Sequence, residues 1–549
     1  MTTKQIRMTE TTTKTNYPAL YTLVIVFFFW GFIAASNGVF IPFCKHHFSL
    51  DQFQSQLIDF AFYTAYYVGA LAIFIISTLR KKDIVGSWGY KKSIIYGLLF
   101  SAVGAVSMII GVKTDLYIGL LIGLFIVALG YSLQQTAANP FAIALGDPKT
   151  GSDRINLGGS VNSFGTTIGP IILSIALFGM VGEITDNQIN SLNLNNVTIL
   201  YTVVGVLFIL AAAIFFFSKK VPACIQESDV ERSNKALTTL LVISVLLLCF
   251  FIPVFNSYKT EGFILLGEDN LDMKRMYCLT AALATIVIGI LFAHHKASRN
   301  SEGWGAMQYP QLVLGLIALF AYVGVEVAIG SNMGELLSKP EFGGYSAAEI
   351  APFISMYWGS LMIGRWSGAV LVFDLKKPVK IAALAIAPVL AFLLVLGVNS
   401  LAGHDMSILY YYIVCVAIQA IAFILCKERP VVTLFVYAIL AISAMTIGLC
   451  TTGMTAVYAF LSGGLFCSIM WSNIYTLATL GLGKYTSQGS SFLVMMILGG
   501  GVIPPIQGKL ADIIGIHASY IIPIICFAYI AFYAIAAKRI LKKQNIEID

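Results

Sequence analysis

The chain has 549 residues, of which 58% are hydrophobic and 11% are charged, and its mean hydropathy is +0.84. This composition excludes a water-soluble globular protein and is typical of an integral membrane protein. The net charge of +7 does not indicate nucleic-acid binding, because the Lys and Arg residues lie mainly in short segments between apolar runs, where they orient membrane helices.

Apolar segments long enough to cross a membrane as helices, about 20 residues each, recur along the whole chain. The first six lie near 19–43, 57–79, 93–112, 115–145, 157–181 and 199–218. After the polar linker KKVPACIQESDVERSNK, ten more follow, near 236–255, 276–294, 310–334, 347–373, 379–399, 407–426, 431–450, 453–480, 489–508 and 519–537. The sequence therefore predicts an all-α membrane protein with about sixteen spans.

Basic residues alternate along the connecting segments. If the N-terminus is cytoplasmic, the inside segments carry the basic groups at 80–92, 219–235, 294–299, 376–380, 427–429 and 538–543. The outside segment GEITDNQINSLNLNN has two acids and no base. An even number of spans with both termini in the cytoplasm satisfies the positive-inside rule. Arg365 is predicted to join Asp374 in the charge set that anchors the segment at the inner end of its span, as a gate or scaffold group and not as a ligand group.

The fourth span contains an unusual polar stretch, YSLQQTAANPF, with Gln134, Gln135 and Asn139. Amides in lipid cost several kcal/mol unless they are satisfied, so these side chains are expected to face protein or a wet cavity. At helical spacing, Gln135 and Asn139 share a face. Amides both donate and accept hydrogen bonds, which suits sugar hydroxyl groups. The alternative is that these amides join neighbouring helices.

Seven stretches, in order along both halves of the chain, carry a family resemblance. They are FFFWGFIAASNGVFIPF, FAFYTAYYVGAL, LQQTAANPFAIALG, NLGGSVNSFGTTIGP, PQLVLGLIALFAYVGVEVAIGS, YWGSLMIGR and LGKYTSQGSSFLVMMILGGGVIPPIQGKLAD. Together they resemble the fucose:proton symporter and glucose/galactose permease branch of the major facilitator superfamily.

The resemblance implies two six-helix bundles with a sugar site between them, exposed alternately to either side of a bacterial cytoplasmic membrane. This chain has about four spans more. We predict a cytoplasmic N-terminal tail at 1–16, a first bundle at 17–218 and a cytoplasmic linker with an inserted helix pair at 219–309. A second bundle follows at 310–537, with another inserted pair within 379–450, and a cytoplasmic C-terminal tail at 538–549. The inserted helices are expected at the periphery.

The resemblance also extends the set of sugar-binding candidates beyond the amides of the fourth span. The added residues, from spans in both bundles, are Asn37, Asn162, Asn332, Trp358 and Asn473. Tryptophan is included because aromatic rings stack on the apolar face of a pyranose. The alternative for Asn162, which lies among Gly and Ser residues, is a tight contact between helices.

Two acids are candidates for coupling transport to a proton. The family has an acid after the amide of its first helix and another before TAANP, but this chain has Gly38 and Gln135 there. Glu326 lies within a predicted span, where an ionisable residue is costly and therefore a functional candidate. Asp59 lies near the outer end of the second span. An uncoupled or sodium-coupled sugar carrier remains an alternative, as does a transport-deficient sugar sensor or assembly partner.

Sequence motifs of enzymes and cofactor sites do not support an alternative to a transporter. The chain has no GxSxG, no GxxxxGK[ST] and no HExxH motif, so the sequence predicts neither an enzyme nor a metal centre. We expect no cofactor. The expected partners are a small sugar, a proton or sodium ion and membrane lipid, with a monomer as the expected oligomeric state.

Overall fold

The computed structural model describes residues 14–48, 52–178, 194–225, 232–258, 265–267, 269–426, 428–546 and 548. Regular structure in these residues is helical. Side chains are described for fewer residues, and those of Asn37 and Asp59 lie outside the described set.

Sixteen helices of membrane-spanning character are present in the described ranges. They are α1 Tyr17–His47, α2 Gln52–Arg80, α3 Tyr90–Lys113, α4 Tyr117–Ala144, α5 Gly151–Phe178, α6 Leu194–Phe217, α7 Asn234–Asn256, α8 Leu271–Arg299, α9 Pro310–Leu337, α10 Ala347–Val370, α11 Lys377–Leu401, α12 Ser407–Leu425, α13 Pro430–Cys450, α14 Gly453–Thr479, α15 Gly483–Ile514 and α16 Ile521–Lys543. Fourteen contain a sufficiently long apolar stretch in the described residues, and α5 and α10 are similarly long at 28 and 24 residues. The predicted all-α membrane architecture is confirmed.

Two of these spans are interrupted. In α14, a first piece, α14a, ends at Cys467, and a second piece, α14b, begins at Met470. In α15, the piece α15a ends at Met495, a short 3-10 turn follows, and α15b begins at Gly499. Interrupted helices expose main-chain carbonyl groups, and in a membrane these need partners from protein or water.

The two halves have matching packing. In the N-terminal half, α3 packs against α4 and α6, and α1 packs against α5. In the C-terminal half, α13 packs against α14a and α16, while α9 packs against α15b and α16. Thus α13 of the C-terminal half occupies the position that corresponds to α3 of the N-terminal half. Within 379–450, α11 and α12 are therefore the two helices without a counterpart in the first half.

The pair α7–α8, which the sequence predicts as an insertion, lies along the seam where α2 and α15 meet. Helix α7 contacts α2 of the N-terminal half, with a hydrogen bond of 2.7 Å between the hydroxyls of Tyr67 and Ser244. Helix α8 contacts α9 and α15b of the C-terminal half, with 2.9 Å between Lys509 Nζ and Asp272 Oδ1. Val245 on the outer face of α7 is 59% exposed. The pair thus packs on the outside of both halves.

The pair α11–α12 lies beside the other seam, where α5 and α10 meet. Helix α11 packs mainly against α10 and also touches α5. Its outward residues Leu390 and Leu393 are exposed, whereas Phe392 and Val395 are buried against the bundle. Exposed apolar residues on such outward faces suit a lipid environment and would be unfavourable in water.

The hydrogen bonds that cross between the halves cluster towards the side where the chain begins and ends, which we call the terminus side. The N-terminal end of α1 marks this side, because Tyr17 OH donates to Val372 O just after α10, at 2.9 Å. Further crossing bonds are Ser490 Oγ to Thr136 O at 2.8 Å, Ser472 Oγ to Asn156 Oδ1 at 2.6 Å and Arg365 Nη1 to Ser163 Oγ at 2.6 Å, together with a weaker contact of 3.8 Å from Thr167 Oγ1 to Met362 Sδ. The described contacts therefore close the halves together on the terminus side.

Candidate functional site

A partly open face of α9 indicates a space between the halves. This helix is enclosed by α10, α14b, α15b and α16, and 83% of its most apolar stretch is buried. Along one face, however, Glu326 and Val327 are half-buried and Ser331 is exposed. Val327 and Tyr63 of α2 both lie close to Gly500 of α15b. This exposed line therefore borders the space between the halves, where a transported molecule would lie.

Gln134 has a packing role in this conformation. Its Oε1 accepts a hydrogen bond of 3.1 Å from Trp30 Nε1, and its Nε2 donates to Ser101 Oγ at 3.1 Å. The residue is fully buried. Gln134 therefore joins α1, α3 and α4 and fixes the indole of Trp30. These contacts match the helix-joining alternative.

The other two amides of α4 differ from each other. Gln135 is 9% exposed and its side chain bonds Tyr66 on α2. Asn139 is fully buried, and its Nδ2 donates to Gln135 O at 3.1 Å. Its Oδ1 has no hydrogen-bond partner in the described part of the chain. Among these amides, Gln135 has the most access to the space between the halves.

Asn162 lies in a close contact between α5 and α1. Its Nδ2 donates to Phe27 O at 3.1 Å, and its side chain remains half-buried. A methyl group added to Gly31 would lie 1.9 Å from Asn162 O, and one added to Gly165 would lie 2.7 Å from Phe28 O. The small-residue contact and the half-exposed amide are thus both present. The other first-bundle candidate, Asn37, falls outside the described side chains.

The candidates of the C-terminal half also differ in exposure. Trp358 on α10 is half-buried, and Gly330 on α9 leaves room for its ring, since an added methyl group would lie 3.1 Å from Trp358 Cζ2. Asn332 is 8% exposed and bonds Ala328 O of its own helix at 2.8 Å. Asn473 is buried on α14b. Trp358 therefore has the best access for stacking on a sugar.

Glu326 forms an ion pair with Arg365. The distance between Glu326 Oε1 and Arg365 Nη2 is 3.3 Å, and the side chains are 14% and 12% exposed. The prediction that Arg365 belongs with Asp374 at the inner end of the span is therefore wrong. The sequence does not reveal this partner, because Glu326 and Arg365 lie on different helices and meet only when α9 packs against α10.

Comparison with known proteins decides the family. No family model matches the chain. A glucose/galactose transporter of Brucella abortus is 31% identical to it over 532 residues, and the alignment covers 97% of each protein. The chain belongs to the glucose/galactose transporter family.

Two other similarities accompany this family membership. The L-fucose-proton symporter of Escherichia coli K12 is 25% identical over 513 residues, with 93% of this chain and 91% of that protein covered. A crystal structure of FucP, a major facilitator superfamily transporter in the outward conformation, has a TM-score of 0.61 at 23% identity and covers 94% of this chain and 98% of FucP. The fold is thus that of the major facilitator superfamily, and the predicted recognition is confirmed.

In this member of the glucose/galactose transporter family, the structure adds polar residues that sequence reasoning missed. Ser163, Tyr322 and Ser468 all bond Arg365. Ser and Tyr are common in membrane helices, so their presence alone carried no signal. The described residues contain no group of three or more His, Cys, Asp or Glu side chains placed to hold a metal ion. The family is one of transporters and not of enzymes, as the sequence predicts.

Proposed function

We propose that this chain is a secondary transporter that moves a monosaccharide across the bacterial cytoplasmic membrane by alternating access. The relatives named for glucose, galactose and L-fucose support a hexose or deoxyhexose as the substrate class. The observation that carries the proposal is the partly open face between two halves that are bonded together on the terminus side. Two rigid halves that close on one side can admit a substrate from the other.

The proposed sugar site combines the half-buried Asn162 and Trp358 with the nearly buried Gln135. Gln135 and Asn162 supply amides that donate and accept hydrogen bonds, and Trp358 supplies a stacking face. Asn37, Asn139, Asn332 and Asn473 remain candidates for a conformation in which they become accessible. Gln134 acts by holding the Trp30 indole in place.

We place coupling at Glu326 and retain Asp59 as the alternative. An ionisable residue within a membrane protein is costly unless paired, and Glu326 meets this requirement with Arg365. Binding of a proton to the Glu326 carboxylate would remove its negative charge at the edge of the sugar space. A relative named as a proton symporter supports the proton as the coupled ion.

The proposed orientation places both termini in the cytoplasm and surrounds the monomer with lipid. An even number of spans returns the chain to its starting side, and basic residues dominate the terminus-side segments, as the positive-inside rule requires. In this orientation, the conformation described is closed towards the cytoplasm.

A proteoliposome screen tests this function. Radiolabelled D-glucose, D-galactose and L-fucose would be offered to the purified chain, with and without proton and sodium gradients. We expect counterflow of at least one sugar and accumulation of it under a proton gradient. Binding of a sugar without counterflow would contradict transport and favour a transport-deficient sugar sensor. Accumulation of the sugar under a sodium gradient but not under a proton gradient would show that sodium is the coupled ion.

Substitution of the accessible amides tests the sugar site. If Gln135 and Asn162 bond sugar hydroxyls, Gln135→Ala and Asn162→Ala leave buried polar groups of the sugar unpaired. We expect each to weaken binding by about 1–3 kcal/mol, or roughly 5- to 150-fold in Kd. Equilibrium binding of the transported sugar measures the effect. Asn399→Ala is the matched control, because Asn399 is a buried amide of the inserted helix α11. Equal affinities in all three variants would refute the assignment.

A further inference from the structure

The guanidinium of Arg365 connects an acid of one half to the other half. Its Nη2 lies 3.3 Å from Glu326 Oε1 and from Tyr322 OH, both on α9. Its Nε donates to Ser468 O, at the interruption of α14, at 3.0 Å. Its Nη1 donates to Ser163 Oγ on α5 at 2.6 Å. One rigid planar group, carried by α10, therefore holds α9 and the interruption of α14 in the C-terminal half and one residue of the N-terminal half.

The packing around this group makes the crossing contact specific. A methyl group added to Gly159 on α5 would lie 3.2 Å from Arg365 Cδ, so the absence of a side chain there lets the arginine approach α5. Ser163 itself is 1% exposed. Because the guanidinium is planar with fixed donor directions, the contact that Nη2 makes with Glu326 also determines where Nη1 points.

We propose that Arg365 is a latch between the two halves, and that the charge on Glu326 controls it. This proposal rests on the proposed transport function and extends it. When Glu326 is ionised, the carboxylate holds the guanidinium fork in the orientation that reaches Ser163, and the terminus side stays closed. When a proton binds to the carboxylate, the ion pair is lost and the neutral carboxyl group holds the guanidinium less tightly, while Arg365 keeps its own charge. The crossing bond then weakens, and opening of the terminus side becomes easier.

This direction matches symport. Sugar and a proton would both arrive while the terminus side is closed, and protonation would then release the latch so that both leave on that side. Glu326 and Arg365 are the charged residues of this cluster, and the titratable groups facing Glu326 in the described residues are Tyr322 on α9, Tyr357 and Arg365 on α10 and Cys467 at the end of α14a. Towards this stretch of α9, α15b presents Gly500 and Ile503, which do not titrate.

The test measures opening of the terminus side directly, in the full chain in lipid nanodiscs and without sugar. Spin labels carried on unnatural amino acids at Lys149 and Lys484 avoid the nine native cysteines. Both positions are exposed, one on the segment before α5 and the other at the start of α15. The distance distribution between the labels gives the ratio of closed to open molecules as a function of pH.

We expect the closed-to-open ratio of the parent to fall as the pH is lowered. Ser163→Ala removes only the acceptor of the crossing bond, and at alkaline pH it is expected to lower the ratio roughly tenfold, as for loss of a bond to a charged group. Ser160→Ala is the matched control, because Ser160 is one turn away on α5 and bonds Asn156 O of its own helix; it should match the parent. Glu326→Gln should remove the pH dependence.

Two outcomes would overturn the latch. One is a closed-to-open ratio in Ser163→Ala equal to that in Ser160→Ala, and the other is a pH dependence that survives in Glu326→Gln. Sugar counterflow by the parent, measured in parallel, distinguishes a failure of the latch proposal from a failure of the transport proposal. Counterflow with unchanged distances in Ser163→Ala refutes the latch alone, whereas the expected distance changes without counterflow support the latch and refute transport.

Discussion

We expect Glu326→Gln to abolish accumulation of sugar driven by a pH gradient while sparing sugar counterflow. Glutamine keeps the size and hydrogen-bonding capacity of the side chain but cannot bind or release a proton. Counterflow requires alternating access without net proton transfer, so it should continue. Uptake into proteoliposomes under an imposed pH gradient, compared with counterflow in the same preparation, measures the two properties separately.

Asp59→Asn is the matched comparison for this experiment. If Asp59 carries the coupled proton, Asp59→Asn will abolish accumulation and Glu326→Gln will retain it, which would transfer the role to Asp59. Accumulation that is indifferent to both substitutions would rule out both acids and leave an uncoupled or cation-coupled carrier. Loss of counterflow in Glu326→Gln would instead indicate that Glu326 is needed for the movement itself, or for sugar binding.

Gly499→Ala is expected to disrupt the packing of the C-terminal half. Gly499 begins α15b directly against α9, and a methyl group at this position would lie 2.0 Å from Phe320 O. The obstructing atom belongs to the main chain of α9, so the clash cannot be relieved by rotating a side chain. Overpacking of this kind costs about 1–3 kcal/mol or more. Thermal unfolding in detergent, followed by size-exclusion chromatography, measures the loss.

Gly501→Ala provides a control two residues further along the same helix. A methyl group at Gly501 would meet no atom within 4 Å. Because alanine favours helix over glycine by about 1 kcal/mol, this variant should be as stable as the parent or more stable. Equal thermal stability of the Gly499→Ala and Gly501→Ala variants would show that α9 and α15b are further apart than described.

Site residues were predictable from sequence only in part. Glu326 stood out because an acid within an apolar span is costly, and this signal is local. Gln134 and Gln135 are adjacent and chemically identical, yet Gln134 bonds Trp30 and Ser101, whereas Gln135 remains at the edge of the space between the halves. The direction in which each amide points depends on how α4 is rotated against α1 and α3. The rotation of α4 cannot be predicted from a local sequence pattern, because it depends on how α4 packs against the other two helices.

The sequence by itself determined the all-α membrane architecture with about sixteen spans, of which fourteen have a long enough apolar stretch in the described residues. Each span depends on the apolar length that crosses a membrane, a property of about 20 consecutive residues. It also determined the family, because the matching stretches occur in order along both halves. Only the tertiary structure decided which helix within 379–450 packs as α3 does in the first half, since α11, α12 and α13 are all apolar and differ in what they pack against. It likewise decided the partners of Arg365, because Ser163 lies 202 residues away along the chain and meets it only across the contact between the halves.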